Sequence, residues 1–170
     1  MNRIALKEAV VGVSLLASAT AGSSAAFAQT TNGTLNVSAT VTANCTVSTT
    51  PLAFGNVNTL SGSNVDGTGG ISVTCTNGTS WEASAGIGSG TGASFNSRVM
   101  ADGSDLLTYN LYTNAARNAI WGDGTGSSST ISSTGSGVAQ NVTIYGRVGS
   151  GQTTAPAGSY ADTVAVTVSY

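Results

Sequence analysis

Cys45 and Cys75 are the two cysteines of the chain, 30 positions apart, and no histidine stands anywhere in its 170 residues. Disulfide formation, thiolate chemistry and metal ligation are the reactions such a pair can offer. A zinc site needs about four ligands, and no further Cys or His is present to complete one. In an oxidising compartment an even pair reads as one disulfide, with free thiols or a metal pair as the alternatives. The missing histidine also removes any Ser-His-Asp arrangement. Asp102 and Asp105 flank Gly103 and could form an acid/base couple, but a hairpin turn bordered by solvated acids accounts for the spacing more simply. Gly88-Ser-Gly-Thr-Gly-Ala93 fits the G-x-G-x-x-A pattern, yet no helical periodicity follows it, so it reads as a turn. Asp123-Gly-Thr-Gly126 lacks the ligand series of a calcium loop. Trp81 and Trp121 are expected as core or loop anchors, with sugar stacking as the functional alternative. Arg117 and Arg147 are expected to pair with Asp123 or Asp162. No catalytic residue, metal ligand or cofactor follows from these groups, and no enzyme is expected.

Charge is scarce. Charged residues make up 7% of the chain against 40% apolar ones, and the formal net charge is −2. Nucleic-acid binding requires a basic face, which this chain cannot build. Part of the small charge lies in an export segment at residues 1–28. Arg3 and Lys7 form a basic start, Ala9 to Ala21 an apolar stretch, and Ala26-Phe27-Ala28 a small-residue cleavage motif. The apolar stretch is too short to span a bilayer of about 30 Å, and no second span follows, so no membrane span is expected in the mature chain. Cleavage after Ala28 leaves no lysine. It leaves three arginines (Arg98, Arg117, Arg147) against six acids (Asp66, Glu82, Asp102, Asp105, Asp123, Asp162), a net of −3.

The elements that must position these groups read as strands. Leu35, Val37, Ala39, Val41, Ala43, Cys45 and Val47 alternate with polar Asn36 to Ser48, the period of a strand with one buried face. Ile71-Ser-Val-Thr-Cys75 does the same, so both cysteines fall on apolar faces. Further alternation runs through Trp81–Ile87, Leu107–Leu111, Val138–Val148 and Tyr160–Tyr170. Turn residues punctuate the runs at Asn77-Gly78, Asp102-Gly103, Asp123-Gly124 and Pro156-Ala-Gly158. Short strands, glycine-rich turns and no helical periodicity after the export segment predict an all-β sandwich or barrel.

Both ends fit a self-sufficient sandwich poorly. The first run is longer than the usual 3–10 residues of a strand, so it divides into an extension around Leu35–Val41 and a first core strand around Val41–Val47. The last run stops on Tyr170 with no hairpin partner after it. Such an edge presents unpaired backbone groups. An extended N-terminal stretch of alternating apolar residues suits strand addition between chains, and pairing within its own sandwich suits the pattern equally.

The ordered blocks Gly33–Val47, Pro51-Leu-Ala-Phe-Gly55, Tyr109–Arg117, Trp121–Thr125, Tyr145-Gly-Arg147 and Pro156–Val164 resemble the spore coat protein U domain family, which includes subunits of Csu-type archaic chaperone–usher pili. The resemblance implies an incomplete immunoglobulin-like β-sandwich lacking its last strand and completed by donor-strand exchange. It divides the chain into a signal at 1–28, a donor-strand extension at 29–41 and the pilin domain at 42–170. It implies a Cys45–Cys75 disulfide, donor side chains Leu35, Val37, Ala39 and Val41, and an acceptor strand carrying Val164, Val166, Val168 and Tyr170, with the Tyr170 carboxylate as an anchor for the chaperone. The implied partners are a periplasmic pilus chaperone, an outer-membrane usher and further subunits in a surface fibre that supports adhesion and biofilm formation. A spore-coat or other cell-surface component, and a carbohydrate-binding module, are the alternatives. The first needs the same fold without an usher; the second needs exposed aromatic side chains.

Overall fold

Ile71, Val73 and Cys75 share one face of a strand, and that face is buried, as period-two alternation requires. The computed structural model describes residues 27–170. Its strands are β1 (Cys45–Thr50), β2 (Val65–Cys75), β3 (Ser80–Ala85), β4 (Arg98–Asp102), β5 (Asp105–Tyr112), β6 (Ile120–Trp121), β7 (Ser128–Ser129), β8 (Ile131–Thr134), β9 (Gln140–Val148) and β10 (Val166–Ser169). The larger sheet has the order β1-β2-β9-β5-β6-β7, with β4 against β5, and the smaller has the order β10-β3-β8. All pairings are antiparallel except that of β6 with β7. The core draws Ile71, Val73, Leu111 and Ile144 from the first sheet and Trp81, Ala83 and Ala85 from the second. The fold is all-β, with no helix among the described residues. Residues from Thr40 onward form one unit and those up to Ala39 another. Of the expected export segment at 1–28, residues 1–26 lie outside the described residues.

Cys45 and Cys75 face each other across the β1–β2 ladder and form the disulfide. It closes a 30-residue separation, which in the chain-entropy picture is worth about 3–4 kcal/mol. Thr76 extends the tie: its N–H donates to Asn44 O at 2.9 Å, and the Asn44 N–H donates to its Oγ1 at 3.1 Å.

Several sequence expectations need correction. The alternating run predicts a first core strand around Val41–Val47 after an extension, but strand structure begins at Cys45, and residues 27–44 form no ladder. Alternation prepares a chain to be a strand; hydrogen bonding to a neighbour makes it one. The last run likewise contributes only β10, because residues before it turn aside: Ala161 bridges to Ala101, and Ser159 N–H donates to Asp102 Oδ2 at 2.9 Å. The glycine-rich half of β2 was not legible as strand, since glycine reads as a turn signal. Gly69 on β2 and Gly146 on β9 are there for close approach instead. A Cβ at Gly69 would stand 2.8 Å from Leu52 Cβ, and one at Gly146 2.8 Å from both Leu52 methyls, so the Pro51–Phe54 segment lies directly on this sheet.

Trp81 and Trp121 are buried, donating their indole N–H to Gln140 Oε1 at 3.0 Å and Ala83 O at 3.2 Å. They are core anchors and offer no face for a sugar. Arg117 and Arg147 do not pair with Asp123 or Asp162. Both meet Asp66, Arg147 through two bonds of 2.7 and 2.9 Å and Arg117 at 3.3 Å. The β2–β9 register places Asp66 opposite Arg147, which linear sequence cannot reveal. Asp123 instead accepts from the Thr125 N–H and Oγ1–H, closing its own turn.

Candidate functional site

A sandwich of two sheets covers its apolar faces only where both sheets extend. Here the smaller sheet ends at β10, whose partner among the described residues is β3 on one side alone. Beyond that edge an apolar cleft of about 1310 Å³ runs between the sheets. Its floor is built from Ile71, Leu107, Leu111, Trp121 and Ile144; Phe54 and Val57 stand on one wall and Val164 and Val166 on another. Strand alternation explains the floor, whose residues come from inward-facing positions of β2, β5, β6 and β9; Phe54, Val57 and Val164 come from the segments between strands. The cleft lining includes one charged residue, Asp162, and no cation.

The expected acceptor residues divide accordingly. Val164 and Val166 line the cleft; Val168, further along β10, is half-buried against the core cluster. Tyr170 is 60% exposed beyond the strand end, its hydroxyl donating to Asn44 Oδ1 at 3.5 Å. The expected donor residues carry their apolar side chains in the open: Leu35 is 87%, Val37 85% and Val41 83% exposed, and Ala39 is exposed too. The arrangement can do one thing chemically. An unpaired strand edge offers alternating N–H and C=O groups, and the cleft beside it offers pockets for every second side chain of an added strand.

Polar groups missed by sequence reasoning frame the cleft. Arg98 is fully buried, donating to Gly86 O, Asn110 Oδ1 and Trp121 O. Burial lowers its pKa from the ordinary guanidinium value, though not enough to discharge an arginine. Tyr109, opposite Arg98 in the β4–β5 ladder, donates its hydroxyl to Asp162 Oδ2 at 2.6 Å. Burial, and then this bond to a carboxylate, push the phenol pKa well up. Burial alone would raise the Asp162 pKa. Bonds from Tyr109, from the Ser89 N–H and Oγ–H, and from the Thr163 N–H outweigh it and hold the carboxyl below 3.8. These bonds fasten the chain just before β10 to the cleft rim.

A carboxyl with a depressed folded-state pKa contributes stability above its ordinary value of 3.8, and that stability is lost as pH falls through the lower folded value. Urea unfolding of the Asp162→Asn variant should therefore weaken less steeply than that of the parent as pH drops below 3.8. Parallel slopes would remove Asp162 from this role.

Comparison with known proteins follows the same boundaries. Residues 31–167 match the Spore Coat Protein U domain. Protein U of Myxococcus xanthus is 34% identical over 181 residues, covering 98% of this chain and 99% of that protein. Among solved structures, the chain is similar to one in the chaperone–tip adhesion subunit pre-assembly complex CsuC-CsuE, from archaic chaperone-usher Csu pili of Acinetobacter baumannii. The TM-score is 0.55 at 26% identity, over 77% of this chain and 40% of that chain. The chain thus spans less than half the length of that solved chain. The fold is accordingly the incomplete, open sandwich of a chaperone–usher pilus subunit. With the matched stretch running from before the disulfide through both sheets and into β10, the chain belongs to the Spore Coat Protein U domain family.

Proposed function

We propose that the chain is a structural subunit of an extracellular pilus, assembled by the chaperone–usher route through donor-strand complementation and serving adhesion and biofilm formation. The observation that carries this reading is the edge of β10, unpaired among the described residues, beside an apolar cleft, in a chain whose own Leu35, Val37 and Val41 are more than four-fifths exposed. Residues 29–41 act as the donor extension and 42–170 as the pilin domain. A donor strand supplying Leu35, Val37, Ala39 and Val41 enters the cleft of the next copy and pairs along β10. Before assembly a periplasmic chaperone occupies the same cleft, contacting Val164, Val166, Val168 and Tyr170. An outer-membrane usher exchanges one for the other. Residues 1–28 direct export to the periplasm. Family and fold are structural rather than enzymatic, and the reading requires no cofactor and no catalytic residue.

The full-length similarity to Protein U favours a second reading, a coat or other cell-surface structural component using the same joint. Electron microscopy of material sheared from the cell surface separates the cases. Thin fibres are expected from the parent chain and none after removal of Gln29–Thr40. Fibres that survive the truncation overturn the donor assignment, and a surface layer in place of fibres favours the coat.

A further inference from the structure

Two Asn-Gly steps stand in the chain, Asn32-Gly33 and Asn77-Gly78, and the structure treats them oppositely. Asn77-Gly78 lies in the turn joining β2 to β3, closed by a 3.0 Å bond from the Thr79 N–H to Thr76 O. The Gly78 N–H donates to Gly135 O at 2.8 Å. Asn32 and Gly33 are both exposed and lie outside any strand or turn. Among the described residues, nothing comes within 4 Å of where a Gly33 Cβ would stand, and no acceptor meets its N–H.

We propose that Asn32 is a site of spontaneous deamidation in the unassembled chain, with Asn77 protected by its turn. Loss of the Gly33 amide proton to hydroxide frees the nitrogen to attack Asn32 Cγ. The bond from Cγ to the side-chain nitrogen breaks, and that nitrogen takes up a proton and leaves as ammonia. The product is a five-membered succinimide. Water then adds to one of its two carbonyls and opens the ring to aspartate or isoaspartate. One water is consumed and one ammonia released, with no change in oxidation state. Glycine favours the attack because no side chain shields its nitrogen and its backbone reaches the required geometry easily. At Gly78 the same nitrogen is held in a hydrogen bond, so the turn must open before ring closure.

The consequence is electrostatic. No charged residue occurs between Glu8 and Asp66, and deamidation places a carboxylate in that run three positions before Leu35. An isoaspartate also lengthens the main chain by one carbon, displacing everything before it relative to the alternating residues after it.

The test uses the unassembled chain beginning at Gln29, incubated in mildly alkaline buffer and followed by peptide mapping with mass spectrometry. Asn32 should convert about tenfold faster than Asn77, since even a modest opening cost separates the two sites by that factor. In denaturant the two rates should converge. Gly33→Ala, which adds a Cβ in open space, should slow the first site and leave the second unchanged. Equal rates in the folded chain, or a contrast that persists after unfolding, would overturn the proposal. The measurement reads a monomer, so it stands whether or not residues 29–41 act as a donor.

Discussion

Replacing Arg98 by alanine is expected to lower the unfolding free energy by about 3–5 kcal/mol, from lost buried hydrogen bonds and the cavity left behind. The residue is 0% exposed. Its Nε and Nη2 donate to Gly86 O at 3.1 and 2.8 Å, Nη1 to Asn110 Oδ1 at 2.7 Å, and Nη2 to Trp121 O at 2.6 Å. The guanidinium also lies 5.7 Å from the centroid of Phe95. No carboxylate forms an ion pair with it among the described residues. The charge is accommodated by carbonyl dipoles and one amide, which arginine's planar fork can satisfy together. Alanine would remove these donors from the Gly86 and Trp121 carbonyls, each loss costing about 1–3 kcal/mol, and leave a cavity, while Asn110 Oδ1 keeps the Leu111 N–H at 2.9 Å. Arg98→Met restores much of the volume and none of the donors, so it should recover only the cavity part. Arg98→Lys keeps the charge but not the fork and should fall between. Denaturant midpoints of the three variants check the order. A loss below about 1 kcal/mol for alanine would mean that the site relaxes or hydrates, contrary to the usual cost of an unmade buried bond. Trp121 and Tyr109 both line the cleft, so a weakened Arg98 cluster should also loosen its floor.

That cluster was invisible in the sequence for a physical reason. Arg98 binds mainly backbone carbonyls, and a carbonyl leaves no trace in residue type. Its own strand, β4, reads Arg-Val-Met-Ala-Asp and is buried on successive residues rather than alternate ones, so period two cannot find it. Asp66 fails differently: its position opposite Arg147 follows from register, which a turn-by-turn reading does not supply. By contrast, β9 alternates along its length and β5 from Leu107 to Tyr109, and that alternation was legible directly, although β5 then buries Tyr109, Asn110 and Leu111 in succession. The disulfide was legible for the same reason, since Cys45 and Cys75 occupied apolar positions of two neighbouring alternating runs. The cleft was half legible. The alternation of Val164, Val166 and Val168 marked a face suited to an apolar lining, but the turn of residues 155–163 along the rim depends on Asp102 and Asp162, whose partners lie far away in sequence. The segment 35–47 is the instructive case, because its pattern continues unbroken past the point where its strand begins. Sequence records what a face is suited to touch, and the fold decides whether the partner is in the same chain.

Changing Leu35 and Val37 together to aspartate should abolish polymers while leaving the isolated subunit folded and able to bind its chaperone. The subunit is unaffected because both side chains are more than four-fifths exposed, and substitutions at such positions usually alter stability by less than about 0.5 kcal/mol. Chaperone binding should also survive, since in the proposed assembly it uses the cleft and β10 of the subunit, not its N-terminal extension. The joint is a different matter. Each apolar side chain seated in a pocket contributes about 1.5–3 kcal/mol, so the two losses remove about 3–6 kcal/mol before any charge is counted. The incoming carboxylates then meet a cleft whose one charged lining residue is Asp162 and which offers no cation. An unpaired buried charge costs several kcal/mol more, or drives the acid to protonate. At about 1.4 kcal/mol per factor of ten, the combined effect exceeds four orders of magnitude in joint stability. Leu35→Ala alone removes only part of one pocket's contribution and should weaken the fibre without preventing it. The readout is a ladder of SDS-resistant multimers beside co-purification of the chaperone–subunit complex. A persisting ladder in the double variant would place the donor contacts elsewhere in residues 29–41. Loss of the chaperone complex together with the ladder would show that Leu35 and Val37 act in folding or capture instead. The absence of cations from the cleft gives the experiment its asymmetry: an apolar joint tolerates a smaller side chain by degrees and a charged one not at all.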